Sequence, residues 1–278
     1  YPNYSSNDFT LGLSLDEYQR IINAENKPLF NRAVSAEYPS GSTIKPVIAL
    51  AALAEGIITK NTPINSTGGI RIGQWFFPDW KAGGHGLTDV KKAIAESVNT
   101  FFYAVGGGYE DIDGLGVSRI KEYLELFGLN ALLGIDIPGE QTGFLPDKQW
   151  KEETKNENWY IGDTYHLAIG QGDLLVTPLQ VAAFTSVFAS GGELHRPHFI
   201  QQVLDSNDKT IKVTSNDPVR ADFIDDYNMT VVRQGMRQTV TAGSARRLQS
   251  VPAEVAGKTG TAQWSSQKDH HAWFTGFA

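Results

Sequence analysis

Apolar and polar positions alternate in blocks along the chain. Tyr38-Pro39-Ser40-Gly41 reads as a turn, and the Ala-rich apolar run Val47 to Ala54, stopped at Gly56, predicts a buried helix behind it. Leu87 to Glu96 carries Val90, Ala93 and Ile94 on one helical face, with Thr88 as a candidate cap, and Phe101 to Tyr103 reads as core. Ser118 to Phe127 is amphipathic, whereas Asp147 to Asn158 is a charged stretch expected to be solvated. Thr177-Pro178 opens a helix over Leu179 to Ala189. Strand patterns occupy Phe199 to Leu204, Glu254 to Trp264 and His271 to Phe277, with Ser265 to Asp269 as a hairpin loop between the last two.

The 278 residues suffice for one large domain or for a helical region against a sheet. A formal charge of −7 gives no support to nucleic-acid binding. The chain has no cysteine, which removes thiol nucleophiles, disulfides and thiolate metal sites. The longest apolar run, Val47 to Ala54, is far short of the roughly 20 residues that span a bilayer.

Candidate chemistry lies in three short motifs in order: Ser42-Thr43-Ile44-Lys45, Ser97-Val98-Asn99 and Lys258-Thr259-Gly260. Together they form the signature of penicillin-interacting serine enzymes. Ser-x-x-Lys also begins at Ser118, Ser206 and Ser265, and Ser-x-Asn also at Ser5, so context must choose. Ser42 stands at a predicted helix N-terminus with Lys45 one turn on; the others fall in an amphipathic stretch, a polar turn and a hairpin tip. A serine hydroxyl needs a base within reach, and a lysine serves only if burial or a second cation such as Lys258 depresses its pKa. Ser97 can relay a proton and Asn99 can hold Lys45 and a substrate amide; their bland reading is two polar residues at a helix junction. A strand edge at Lys258-Thr259-Gly260-Thr261 suits a peptide that adds as a further strand, with Gly260 admitting its close approach.

Over nearly its whole length the chain resembles the transpeptidase domain of class B penicillin-binding proteins, most closely the elongation type. The likeness rests on the three motifs, Tyr38 to Pro46, Asp79-Trp80-Lys81 with Gly84-His85-Gly86, Glu96 to Tyr103, Trp159 to Asp163, Ile169 to Gly172 with Thr177 to Gln180, and Gly257 to Gln263. The resemblance implies an α/β (α+β) penicillin-binding fold, a helical region packed on an antiparallel sheet. Residues 1–278 are expected to form the transpeptidase domain, shortened at both ends and without its terminal strands. It implies peptidoglycan D,D-transpeptidation through an acyl-enzyme on Ser42, with Lys45 as base, Ser97 and Asn99 completing the network, and backbone N–H groups of Ser42 and Thr261 as oxyanion hole. Lys258, Thr259, Gly260 and Thr261 would bind the donor peptide.

It also implies inhibition by β-lactams, no cofactor, and partnership with a membrane glycan polymerase of the SEDS family and other elongation proteins. The domain would lie on the outer face of a bacterial membrane, with the anchor upstream. Asp79 and His85 resemble zinc-binding positions of some relatives, but too few ligands accompany them, so no metal is expected. A carboxypeptidase or β-lactamase of the same fold, or a penicillin-binding sensor, are the alternatives. No acid stands at a recognisable place to activate water, which counts against the hydrolases. No Gly-x-Ser-x-Gly elbow is present, which argues against a Ser-His-Asp hydrolase. Gly170-Gln171-Gly172 reads as a tight turn without a catalytic role.

Overall fold

In a computed structural model of the chain, residues 3–263 and 269–278 are described. Helix α1 (Lys45–Ala54) forms the centre, and every residue from Lys45 to Leu53 is buried. A helix apolar on all sides requires protein around it. It is provided by α2 (Val90–Glu96), α3 (Asn99–Gly107), α4 (Gly116–Leu126) and, much later in the chain, α7 (Asp226–Thr241). Helix α5 (Ile161–Ala168) lies on α3, where a Cβ on Gly106 would come within 2.4 Å of Ala168 Cβ. Helix α6 (Pro178–Ser190) starts at a capping box in which Thr177 and Gln180 satisfy each other's backbone N–H groups.

Strands β1 (Ala256–Ala262) and β2 (His271–Phe277) pair antiparallel, with Gly260 opposite Trp273 and Thr261 opposite Ala272. Helix α7 covers β1 and α6 covers β2. The apolar side of α7, with Met229, Val232, Met236 and Val240 at helical spacing, faces α1, α2 and β1. Smaller antiparallel pairs stand outside this layer: Ile64–Ser66 with Gly86–Thr88, Gly69–Ile72 with Trp75–Pro78, Leu194–His195 with Pro218–Arg220, and Gln202–Leu204 with Thr210–Val213. The result is the expected helical region on an antiparallel sheet.

Several local expectations need correction. Asp89, not Thr88, caps α2: its carboxylate accepts from the Lys92 N–H at 2.8 Å, while Thr88 ends a strand. The stretch from Phe199 enters a strand only at Gln202, because the N–H groups of Phe199 and Ile200 both donate to Asp136. The charged stretch after Asp147 is a helix, Lys148–Lys155, and Lys151 within it is buried against Asp163 at 2.7 Å rather than solvated. Most of the loop expected over Ser265 to Asp269, with the Ser-x-x-Lys at Ser265, lies outside the described residues.

Candidate active site

Ser42 lies in a single 3₁₀ turn, Gly41–Ile44, that runs directly into α1. Residues three apart eclipse in such a turn, so Ser42 and Lys45 project to the same side. Two glycines permit the turn to sit where it does. Gly41 has φ +53°, and a Cβ there would stand 2.7 Å from the Thr261 carbonyl oxygen of β1. Gly170 has φ +74°, its carbonyl accepts from the Gly41 N–H at 2.8 Å, and a Cβ would fall 2.0 Å from the Gly41 oxygen. Three stretches of backbone thus meet with no room for a side chain.

Ser97 and Asn99 form the corner between α2 and α3. Ser97 adopts left-handed φ 59°, ψ 43°, an unfavourable conformation for a residue with a Cβ. The corner carries its polar groups to Lys45, whose Nζ donates to the Ser97 carbonyl (2.9 Å), Ser97 Oγ (3.2 Å) and Asn99 Oδ1 (2.6 Å). Among the described residues the Ser42 hydroxyl has no hydrogen-bond partner, so the direct Ser42–Lys45 bond that a simple base would make is not formed. Lys45 is completely buried, and loss of hydration brings its pKa down to about 7, with Asp79 opposing the shift.

Lys258 is also completely buried; its Nζ donates to the Thr259 carbonyl at 2.8 Å. Burial first, and then repulsion from Lys45, hold its pKa well below the usual lysine value. It was expected to depress Lys45 and to contribute a charge to the substrate. The repulsion is mutual, so each amine disfavours the other's charged form, while the Lys258 amine itself is covered by protein. Gly260 differs too: its buried backbone faces the 3₁₀ turn, and a Cβ would stand 2.9 Å from Thr43 Cγ2 and 3.2 Å from the Ser40 oxygen. The glycine is needed for strand-to-turn packing.

Ser42, Ser97, Asn99, Thr259, Gly260 and Thr261 line one cavity of about 280 Å³. Trp80, Glu96, Ile169, Gln171 and Ser244 share in it, and Glu96, Ile169 and Ser244 were not picked out as site residues from the sequence. Ser244 Oγ lies 2.6 Å from Thr259 Oγ1, and Gln171 Nε2 donates to the Thr261 carbonyl at 3.1 Å. These are contacts between distant segments that no local pattern signals.

Asp79 ties the corner together from below. Oδ2 accepts from the Thr100 N–H (2.8 Å) and hydroxyl (2.7 Å), and Oδ1 from the Trp80 N–H (2.8 Å). Burial raises its pKa, but the bonds from Thr100 outweigh that and leave the carboxyl below its ordinary range. His85 Nδ1 lies 2.7 Å from Glu96 Oε2, and its buried Nε2 is 3.6 Å from Asp79 Oδ1 without a hydrogen bond. The Asp79–His85 pair does not fit the four-ligand demand of zinc: among the described residues no group of three metal-ligating side chains forms.

The family model of the penicillin binding protein transpeptidase domain matches residues 4–278. Peptidoglycan D,D-transpeptidase MrdA of Haemophilus influenzae is 34% identical over 100% of this chain and 44% of its own length. The Pseudomonas aeruginosa PBP2 structure in complex with WCK 5153 superposes with TM-score 0.87 at 32% identity, covering 100% of this chain and 61% of that one. The complex of PBP2 and MreC from Helicobacter pylori gives TM-score 0.84 at 35% identity, covering 100% and 50%. The chain spans less than half the length of the curated relatives it matches. With the motifs, the fold and the family model in agreement, the chain belongs to the penicillin-binding-protein transpeptidase family.

Proposed function

We propose that this chain, read as one transpeptidase domain over 1–278, cross-links peptidoglycan by D,D-transpeptidation during wall elongation. The observation that carries the reading is a completely buried Lys45 bonded to Ser97 and Asn99 behind Ser42, in a cavity edged by β1, its pKa brought down to about 7 by burial. Ser42 Oγ attacks the carbonyl between the terminal D-alanines of a stem peptide. Its proton passes through the Ser97 hydroxyl to Lys45 and on to the departing D-alanine amine. The backbone N–H groups of Ser42 and Thr261 hold the oxyanion.

The donor pairs with the β1 edge as an extended strand, and Thr259, Thr261 and Ser244 bind its carboxylate, with buried Lys258 behind them. β-Lactams, which imitate the D-Ala-D-Ala end, acylate Ser42. The Helicobacter pylori relative forms a complex with MreC; for this chain we extend the partnership to elongation proteins of that kind and a membrane glycan polymerase. It would act on the outer face of a bacterial membrane. No described helix is itself long and apolar enough to cross one.

Intact mass after incubation with benzylpenicillin tests the reading, run beside Ser42→Ala. A stable adduct of one drug mass, lost in the variant, is expected. An adduct that persists in Ser42→Ala overturns the nucleophile, and rapid release of hydrolysed drug points to a β-lactamase instead.

A further inference from the structure

The Ser42 cavity has a neighbour. A groove of about 830 Å³ shares Trp80, Asn99, Ile169 and Gln171 with it, then extends between Pro78, Tyr103, His166 and Gln263. One wall is a large apolar surface held rigidly in the open. Trp80 is 63% exposed, yet its ring N–H donates to the Glu96 carbonyl at 3.1 Å and its backbone N–H to Asp79. A fixed, exposed indole is an anchor that a ligand can cover without ordering it first. The other wall carries His166, whose ring lies edge-on to Phe77 at 6.0 Å and makes no hydrogen bond to any described residue.

We propose that this groove receives the acyl acceptor, a second peptide presenting a primary amine. The inference rests on the transpeptidase reading above. Two peptides must converge on one carbonyl carbon, and a donor paired along β1 occupies the first cavity. The groove meets that cavity at Asn99, beside the Lys45–Ser97 pair. An amine arriving there attacks the Ser42 ester: the C–N bond forms, the bond from carbon to Ser42 Oγ breaks, and Lys45–Ser97 carries the amine's proton to Oγ. Nothing is oxidised or reduced. Loss of hydration holds the His166 pKa below the usual histidine value against the pull of Asp163. An imidazole favoured in its neutral form can accept a hydrogen bond from the acceptor's N–H groups without repelling a cation.

The test loads the full chain with a thioester donor and lets the acyl-enzyme partition between water and a synthetic peptide bearing a free lysine amine. Product ratios are read by mass spectrometry for wild type, His166→Ala and the blocking variant His166→Trp. The ratio of aminolysis to hydrolysis should fall by about three- to tenfold in His166→Ala and further in His166→Trp, with the half-saturating acceptor concentration rising. Wild-type ratios in both variants overturn the inference, as does a fall in donor acylation as large as the fall in the ratio. A wild-type acyl-enzyme that only hydrolyses also overturns it while leaving Ser42 chemistry intact. Failure to form any acyl-enzyme overturns the transpeptidase reading itself. Gln263→Trp blocks the groove from the strand end and serves if His166→Trp does not fold.

Discussion

Nζ of Lys45 lies 2.6 Å from Oδ1 of Asn99, and its other two contacts are the carbonyl and hydroxyl of Ser97. These use all three donors of an ammonium group. When Lys45 loses a proton, one contact must reverse. Two of the three partners are carbonyl oxygens that only accept; the Ser97 hydroxyl alone can turn and donate. In the proposed mechanism the proton from Ser42 therefore reaches Lys45 through Ser97.

Lys45→Ala removes the proposed base, and acylation by benzylpenicillin should slow by about 10³-fold. Stopped-flow rate constants against drug concentration give the value. A loss below about tenfold would place the base elsewhere.

The acylation rate should depend on pH with a midpoint of about 7. Above it Lys45 is neutral and accepts a proton; below it the amine is charged and the rate falls with each unit. A profile flat from pH 5.5 to 8.5 would remove Lys45 from the rate-limiting step.

Asp79 favours the charged form of Lys45. Asp79→Asn takes that charge away, so the midpoint should move below its wild-type position. The same change weakens the bonds to Thr100, and loss of a charge-assisted bond costs about 1.5–3 kcal/mol. Urea melts and the pH profile together separate the two effects. A midpoint that moves upward contradicts the electrostatic account.

Gly170→Ala sets a Cβ 2.0 Å from the Gly41 oxygen at φ +74°. Strain and overlap should cost at least about 2 kcal/mol and cut acylation in the molecules that remain folded. Thermal melts with active-site titration measure both. Wild-type stability and rate would mean that the junction can open without consequence.

Ser244→Ala deletes the hydroxyl 2.6 Å from Thr259 Oγ1. Donor KM should rise by about three- to tenfold, with a smaller effect on kcat. Steady-state release of D-alanine from a synthetic stem peptide gives the split.

Much of the frame was legible because its signals are local. The apolar run after Ser42, the strand pattern around Lys258 and the helix after Thr177 each announce an element without help from elsewhere. Among four Ser-x-x-Lys patterns, the preceding turn and following helix singled out Ser42, and the structure brings Ser42, Ser97, Asn99 and Thr259 to one cavity. What could not be read depends on approach between distant segments. Gln171 reaches a carbonyl 90 residues away, Ser244 meets Thr259 across the end of α7, and Lys258 turns inward. Gly260 shows the same limit: its smallness was visible, but whether substrate or the Ser40–Thr43 turn required it was not.

The junction of Gly41, Gly170 and Thr261 divides what can vary in this protein from what cannot. Ser42 is held in place by backbone touching backbone, while the residues that face the cavity and the groove contribute side chains. On the proposed function, Trp80, Ser244 and His166 could therefore be exchanged to suit a different wall peptide without disturbing that junction, whereas Gln171, bonded to the Thr261 carbonyl, could not. If β-lactams acylate Ser42 as proposed, the same division would govern the ways a drug-exposed population can change. Substitutions that alter how an inhibitor is received would have many positions open to them, whereas a side chain added at Gly41 or Gly170 meets the main chain of Thr261 or Gly41.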